Sequence, residues 1–262
     1  MFGSSLHIQL MPQRVTINSR QRRFLKISEA LLEVQNEQNE VDSEVNPIDW
    51  AATATRELII KNQLSGALNI AFSDKWVRYD LVALGKMNLS DAESASLARA
   101  QFNEQFPDAL DWPLRLTRHG EQLLVAGINP LLLSAAQQIS VDCKYRLNSL
   151  EPWFVSMWNK HEKTIRQLDG WLLFEEPEVL LVARIKQGNL VHLHSQPFDD
   201  NQRESSAQLF LDRQSALLEH PPGLVHIFTY SGNQLKLKAP WHSVQSGEAW
   251  PRASNFTLSS PD

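Results

Sequence analysis

The chain is poor in cysteine, in glycine and in positive charge, and each shortage excludes something. Cys143 is the only cysteine, so neither an intrachain disulfide nor a cysteine-built zinc site can form. A lone thiol fits a reducing compartment. The 10 glycines are scattered singly, and no Gly-x-x-x-x-Gly-Lys loop, Gly-x-Gly-x-x-Gly fingerprint or Gly-x-Ser-x-Gly elbow occurs. The formal charge of −5, with acids and bases interspersed, argues against nucleic acid, whose phosphates favour basic surfaces. No apolar run approaches the roughly 18 residues of a membrane helix. The opening Met1-Phe2-Gly3-Ser4-Ser5 lacks the basic and apolar regions of a signal peptide, so a cytoplasmic protein is expected.

What is present is a pattern that occurs twice. Residues 6–10, 14–19 and 23–33 form three consecutive runs; the first two alternate with period 2, and the third is either a strand or a short helix. Residues 171–175, 178–186 and 190–197 repeat the arrangement. Proline sits in the first turn of each copy, Met11-Pro12-Gln13 and Glu176-Pro177-Glu178, where it presets φ and cannot donate to a ladder. Gly188 suits a tight hairpin position of positive φ.

Each copy continues into a helix and a further strand. Pro47 starts a helix over 47–62, with Trp50, Ala54, Leu58 and Ile59 on one face, and 67–72 is a buried strand. In the second copy a helix over 199–219 places Leu209, Phe210, Arg213 and Leu217 near one face, and 224–230 is the strand. Between the copies lie a strand over 76–84, a helix opened by a Ser90–Glu93 capping box, a hairpin of 113–117 with 122–128 about His119-Gly120, a helix from Pro130, a strand over 145–150 and a helix over 152–168. Residues 36–46 read as a loop, and the polar stretch past Trp241 as fraying. The expected domains are a first half over 1–151 with an insertion at about 76–128, a second half over 152–240, and a tail over 241–262.

The order of these segments resembles that of actin-like cytoplasmic proteins of bacterial type IV pilus and type II secretion platforms: the pilus M-type protein and the cytoplasmic region of the secretion L-type protein. It is also similar to a group of uncharacterised proteobacterial proteins that diverge from both. The residues carrying the likeness are Leu68-Asn69-Ile70-Ala71-Phe72-Ser73-Asp74 with Trp76-Val77-Arg78-Tyr79; Trp112 with Leu114-Arg115-Leu116; Leu124-Val125-Ala126 before Asn129-Pro130-Leu131-Leu132; and Leu150-Glu151-Pro152 leading to Asn159. It extends over about residues 6–230. The resemblance implies an α/β fold of two RNase H-like (actin-like ATPase) halves with mixed sheets and a small inserted α+β subdomain. It further implies a cytoplasmic scaffold docked on an inner-membrane pilus or secretion partner.

ATP-binding members of that fold place an acid and glycines in the first turn of each half, so that backbone N–H groups approach phosphate oxygens. Here proline removes a donor, and Glu176 and Glu178 repel a triphosphate. The reading is therefore a non-catalytic scaffold with no cofactor. The alternative is a divergent nucleotide-binding or metal-dependent phosphotransfer enzyme using Glu175, Glu176 and Glu178, with Asp199 or Asp200 as a further ligand; against it stands a solvated strand end.

Other groups carry two readings each. His192 and His194 share a strand face and suit a metal, but no third ligand is evident, and a half-buried pair is preferred. Cys143 has no positioned histidine and reads as structural. Arg20, Arg22, Arg23 and Lys26 suit acidic headgroups, or merely a charged strand edge. Trp50, Trp153, Trp158 and Trp171 read as core. Trp76, Arg78, Tyr79, Trp112 and Arg115 in the insertion are the expected partner surface, because aromatics beside arginines are enriched at interfaces. Homodimerisation is left open.

Overall fold

The computed structural model describes residues 4–23, 26–36, 46–85, 89–198, 202–230 and 232–246. Its contacts divide the chain into two units, one holding Met1–Ser73 and Leu133–Glu151, the other Asp74–Leu132 and Pro152–Ala249.

The first unit is built on the sheet β3-β2-β1-β4-β8. Its strands are β1 (Ser5–Met11), β2 (Arg14–Arg23), β3 (Lys26–Gln35), β4 (Ala67–Phe72) and β8 (Leu147–Pro152). β1 runs antiparallel to β2 and parallel to β4. Leu6, Ile8, Leu10, Val15, Ile17, Leu68, Ile70 and Phe72 are at most 1 % exposed and make its core. Helix α1 (Pro47–Lys61) packs on β1 and β2. The Asn46 side chain caps it by accepting from Ile48 N–H, and proline follows in the first turn. Its buried face is Ile48, Ala51, Ala52, Ala54, Thr55 and Ile59. The expected face is thereby rotated: Trp50 and Leu58 are only half-buried, because small residues let the helix lie close to the sheet.

The second unit repeats the plan on the sheet β11-β10-β9-β12-β13. Its strands are β9 (Gly170–Glu176), β10 (Val179–Lys186), β11 (Asn189–Pro197), β12 (Leu224–Thr229) and β13 (His242–Gln245). The duplication holds residue by residue. Met11 pairs with Arg14 around Pro12-Gln13, and Glu176 pairs with Val179 around Pro177-Glu178. Ser73 N–H donates to Leu10 O at 2.9 Å, and Tyr230 N–H donates to Glu175 O at 2.7 Å, at equivalent places in the parallel pairs. The β10–β11 turn has φ of 50° at Gln187 and 75° at Gly188, the signature of a type I′ hairpin.

Helix α5 (Arg203–Leu217) lies on β10. It buries Ala207, Phe210, Leu211, Gln214 and Ser215, while Leu209 and Leu217, expected inward, are 59 % and 70 % exposed. The chain past Trp241, expected to fray, instead adds β13 in parallel to β12. It arrives there by an extended strap rather than by a helix. Lys236 N–H and Lys238 N–H donate to Glu204 Oε1 and Gln208 Oε1 at 3.3 and 2.9 Å, and Trp241 Nε1–H donates to Asp212 Oδ1 at 2.6 Å. The three acceptors are four residues apart, on one stripe of α5. Leu235 and Trp241 enter the core below, at 3 % exposure each.

On the opposite side of β9, helix α4 (Trp153–Ile165) contributes Trp153 and Phe154 to an aromatic cluster with Phe174, Phe228 and Tyr230. The remaining strands, β5 (Val77–Ala83), β6 (Leu114–His119) and β7 (Gln122–Ile128), form a small antiparallel sheet ordered β5-β7-β6. Helix α2 (Asp91–Gln105) opens with the expected capping box between Ser90 and Glu93. Its Ala98 and Phe102 pack with Val82, Leu84, Leu123 and Val125. Helix α3 (Pro130–Asp142) follows β7. This is the expected α/β class with mixed sheets. Among the described residues, no helix is long and apolar enough to cross a membrane.

Gly127 on β7 makes the small sheet's packing possible. A Cβ there would sit 2.2 Å from Cζ of Phe102. Gly127→Ala is expected to lower unfolding free energy by about 1–3 kcal/mol, the cost of overpacking, measurable by urea denaturation. Pairing it with Phe102→Leu should recover part of the loss.

Candidate functional site

The β9–β10 hairpin brings three glutamates together. Glu175, Glu176 and Glu178 occupy the end of β9 and its turn, and each is engaged by the protein itself. Arg203, at the first turn of α5, grips Glu175 through both ends of its guanidinium, with Nε 2.5 Å from Oε1 and Nη2 on Oε2. The same Nη2 donates to Asn233 O at 3.2 Å. The two side chains are 19 % and 4 % exposed, so the pair is largely desolvated, and its two-point geometry offsets the cost of burying charge. Glu178 holds φ of 68°, where glycine or asparagine is usual, and its carboxylate pairs with the Lys75 ammonium.

Glu176 turns inward and is 2 % exposed. Its Oε1 accepts from Asp74 N–H at 2.8 Å. Asp74, in a 3-10 turn over Asp74–Trp76, is equally buried. Its Oδ1 accepts from the Tyr79 hydroxyl at 2.5 Å, and its Oδ2 from Phe154 N–H at 2.8 Å. The second bond explains how α4 begins. The preceding Pro152 supplies no side-chain cap, so Asp74, 80 residues earlier, satisfies one of the helix's free N–H groups. Burial raises the Asp74 carboxyl from 3.8 to about 6, against the opposing pull of hydrogen bonds from Glu176, Tyr79 and Phe154. Burial first, and then the Asp74 charge, push the Tyr79 phenol well above its usual range.

The five residues expected to meet a partner separate into two groups. Trp76 and Tyr79 are 6 % and 5 % exposed, and Tyr79 is spent on Asp74; burial withdraws both from a surface role. Arg115 is exposed, while Arg78 and Trp112 are half-buried, Trp112 packing against the core of the small sheet. The Arg78 guanidinium lies 5.6 Å from the Trp112 ring centroid and 3.6 Å from Asp108. Arg115 is exposed on β6, the edge strand of the small sheet.

His192 Nε2 lies 2.9 Å from Gln214 Oε1, the His192 and His194 rings stack 6.5 Å apart, and burial lowers both imidazoles. Cys143 is half-buried, and burial, with Asp142 beside it, raises its thiol, the opposite of an activated nucleophile. Among the described residues no group of three or more His, Cys, Asp or Glu is placed to hold a metal. Asp199 and Asp200, and the side chains of Arg22, Arg23 and Lys26, lie outside the described residues. Asp74 entered the sequence reading only as part of a matching stretch, and Lys75 and Arg203 escaped it. Their partners are 102, 103 and 28 residues away, and no local pattern announces such pairs.

No family model matches the sequence, and no curated protein matches it. Solved structures do match. A Bacteroides thetaiotaomicron protein with an actin-like ATPase fold and unknown function superposes with a TM-score of 0.58 at 10 % identity, over 86 % of this chain and 82 % of that one. A chain of the PilM–PilN type IV pilus biogenesis complex gives 0.63 at 11 %, over 86 % and 81 %. The cytoplasmic domain of EpsL, an inner-membrane component of the type II secretion system of Vibrio cholerae, gives 0.53 at 13 %, over 93 % and 90 %. The chain therefore has the actin-like ATPase fold.

Removing one partner of the Arg203–Glu175 pair should be far worse than removing both. Arg203→Met is expected to cost about 3–5 kcal/mol because a buried carboxylate is stranded. Arg203→Met with Glu175→Leu should recover most of it. Denaturation midpoints of the two single variants and the double variant give the coupling.

Proposed function

We propose that this chain is a divergent relative of the pilus M-type and secretion L-type actin-like proteins. It serves as a non-catalytic cytoplasmic scaffold of a type IV pilus or type II secretion platform, and it binds the cytosolic part of an inner-membrane protein. The observation that carries the reading is the chemistry of the two first-turn hairpins in an actin-like fold. Pro12 and Pro177 remove the donors that a phosphate would use, and the second turn carries the acidic Glu178, with Glu176 buried beneath it. Glu175 and Glu178 are already bound to Arg203 and Lys75, and Glu176 to the backbone of Asp74. A metal or a nucleotide would have to displace cations of the protein's own. The likeness to the PilM–PilN complex and to the EpsL cytoplasmic domain supports the choice of assembly.

The partner surface in this reading is the insertion at about 76–128, through Arg78, Trp112 and Arg115. Arg78 stacked on Trp112 presents a flat amphipathic platform, and β6 offers a strand edge to an extended segment.

Two measurements test this reading. Millimolar ATP–Mg²⁺ or Mn²⁺ should leave the melting temperature unchanged; a rise of several degrees would signal ligand binding by mass action and favour the phosphotransfer alternative. Affinity capture from detergent-solubilised inner membranes should enrich a pilus or secretion platform protein. Arg115→Glu, at an exposed side chain, should cut that capture by about tenfold, equivalent to roughly 1.4 kcal/mol, without moving the melting temperature. Equal capture by the variant would remove the insertion from the interface.

A further inference from the structure

We propose that the open edge of β6 takes an extended acidic segment of the partner, read in the order acid, any residue, apolar residue, acid, which lies antiparallel to β6 as a fourth strand of the small sheet. The inference deepens the scaffold reading. It rests on that reading only for the assembly that supplies the segment.

The register shows which backbone groups are on offer. Ile128 N–H donates to Pro113 O at 3.1 Å, and Leu84 N–H donates to Glu121 O at 2.8 Å. In an antiparallel pair such bonded positions recur at every second residue. β7 therefore turns the backbone of Gln122, Leu124, Ala126 and Ile128 toward β6, and that of Leu123, Val125 and Gly127 toward β5. On β6 the N–H and C=O groups of Arg115, Thr117 and His119 face β7. Those of Leu114, Leu116 and Arg118 point the other way, where among the described residues no strand meets them. The opposite edge of the sheet, β5, lies against β11, which leaves β6 as the open side.

The side chains select the occupant. Leu114 and Leu116 pack on the cluster of Ala98 and Phe102 and stay half-buried. Arg118 shares their face, while Arg115 and Thr117 lie on the other. Arg115, Thr117 and Arg118 are exposed. β6 carries no acid, and the nearest in sequence, Asp111 and Glu121, stand beyond its two ends. Arg118 Nε donates to Gly120 O at 3.3 Å, and neither guanidinium is paired with a carboxylate among the described residues.

An antiparallel segment meets Arg118, Thr117, Leu116 and Arg115 with four successive residues. Acids at the first and fourth neutralise the two arginines, one on each face of the sheet, and an apolar third residue covers Leu116. Arg115 falls at a non-hydrogen-bonded position of the new ladder, where facing side chains approach most closely. Main-chain bonds supply the attachment, and the two cations supply the choice of partner.

The test uses the full chain and a synthetic threonine-rich peptide carrying Asp-Thr-Val-Asp. Hydrogen exchange at the outward amides of Leu116 and Arg118 should slow when the peptide is present at millimolar concentration, whereas β7 already protects those of Thr117 and His119. A peptide with lysine in place of both aspartates, or a chain carrying Arg115→Glu and Arg118→Glu, should bind about tenfold more weakly, two exposed ion pairs being lost together. Leu116→Pro deletes an outward N–H that the sheet itself does not use, and should weaken binding with the melting temperature held. Should that variant fail to fold, Arg118→Glu alone, at an exposed side chain, carries the comparison. Unprotected outward amides, or equal binding of the aspartate and lysine peptides, would overturn the proposal and leave the arginines as a guard against self-pairing of the edge. Peptide docking on β6 without capture of any pilus or secretion protein would remove the scaffold reading and leave this proposal standing. Capture of such a protein undiminished by Arg118→Glu and Leu116→Pro would do the reverse.

Discussion

One buried carboxyl group, that of Asp74, does for the second unit what no local sequence could. It caps a helix whose first turn lies 80 residues later and takes the hydroxyl of a tyrosine on the next strand, while the N–H of the same residue donates to a glutamate at the tip of the second hairpin. A charged group is kept out of water only when its hydrogen-bonding capacity is filled. Filling it fixes the 3-10 turn, the start of α4 and the end of β9 with respect to one another. The aromatic cluster of Trp153, Phe154, Phe174 and Phe228 is assembled on that frame.

The same residues set the chemical character of the hairpin. A turn of three glutamates beside an actin-like sheet would suit a divalent ion if its oxygens faced solvent. In this chain one glutamate is clamped by an arginine, one by a lysine, and one is folded beneath the turn. Acidity here is structural. That agrees with the scaffold reading proposed above, whose partner surface is the small sheet, where Arg115 is exposed and Arg78 and Trp112 are half-buried.

Much of this architecture is legible in the sequence because it is written in local chemistry. Period-2 alternation marks β1 and β2, Pro12 and Pro177 mark the turns, Ser90 with Glu93 marks the start of α2, and Gly188 marks a hairpin of positive φ. Those signals act within a few residues of themselves. The hydrophobic faces of helices are less local. Leu209 and Leu217 belong to the same helix as Phe210 and Leu211, and only the position of β10 decides which side is buried. β13 is harder still: four exposed residues with a polar composition become a strand solely because β12 offers them an unpaired edge. The candidate site was half visible. Its glutamates stand out as a run, but the partners that neutralise them come from remote segments. Trp76 and Tyr79 look like surface aromatics until the fold buries them.

The strap that leads to β13 gives the outer stripe of α5 an unusual status. Glu204, Gln208 and Asp212 are polar residues at helical spacing on a water-facing helix, the kind of positions where substitution is ordinarily tolerated. Here they are the acceptors that hold an extended segment in place and keep Leu235 and Trp241 seated. Substitution at any of the three therefore costs the strap a hydrogen bond, although the side chain replaced lies on the helix's outer face.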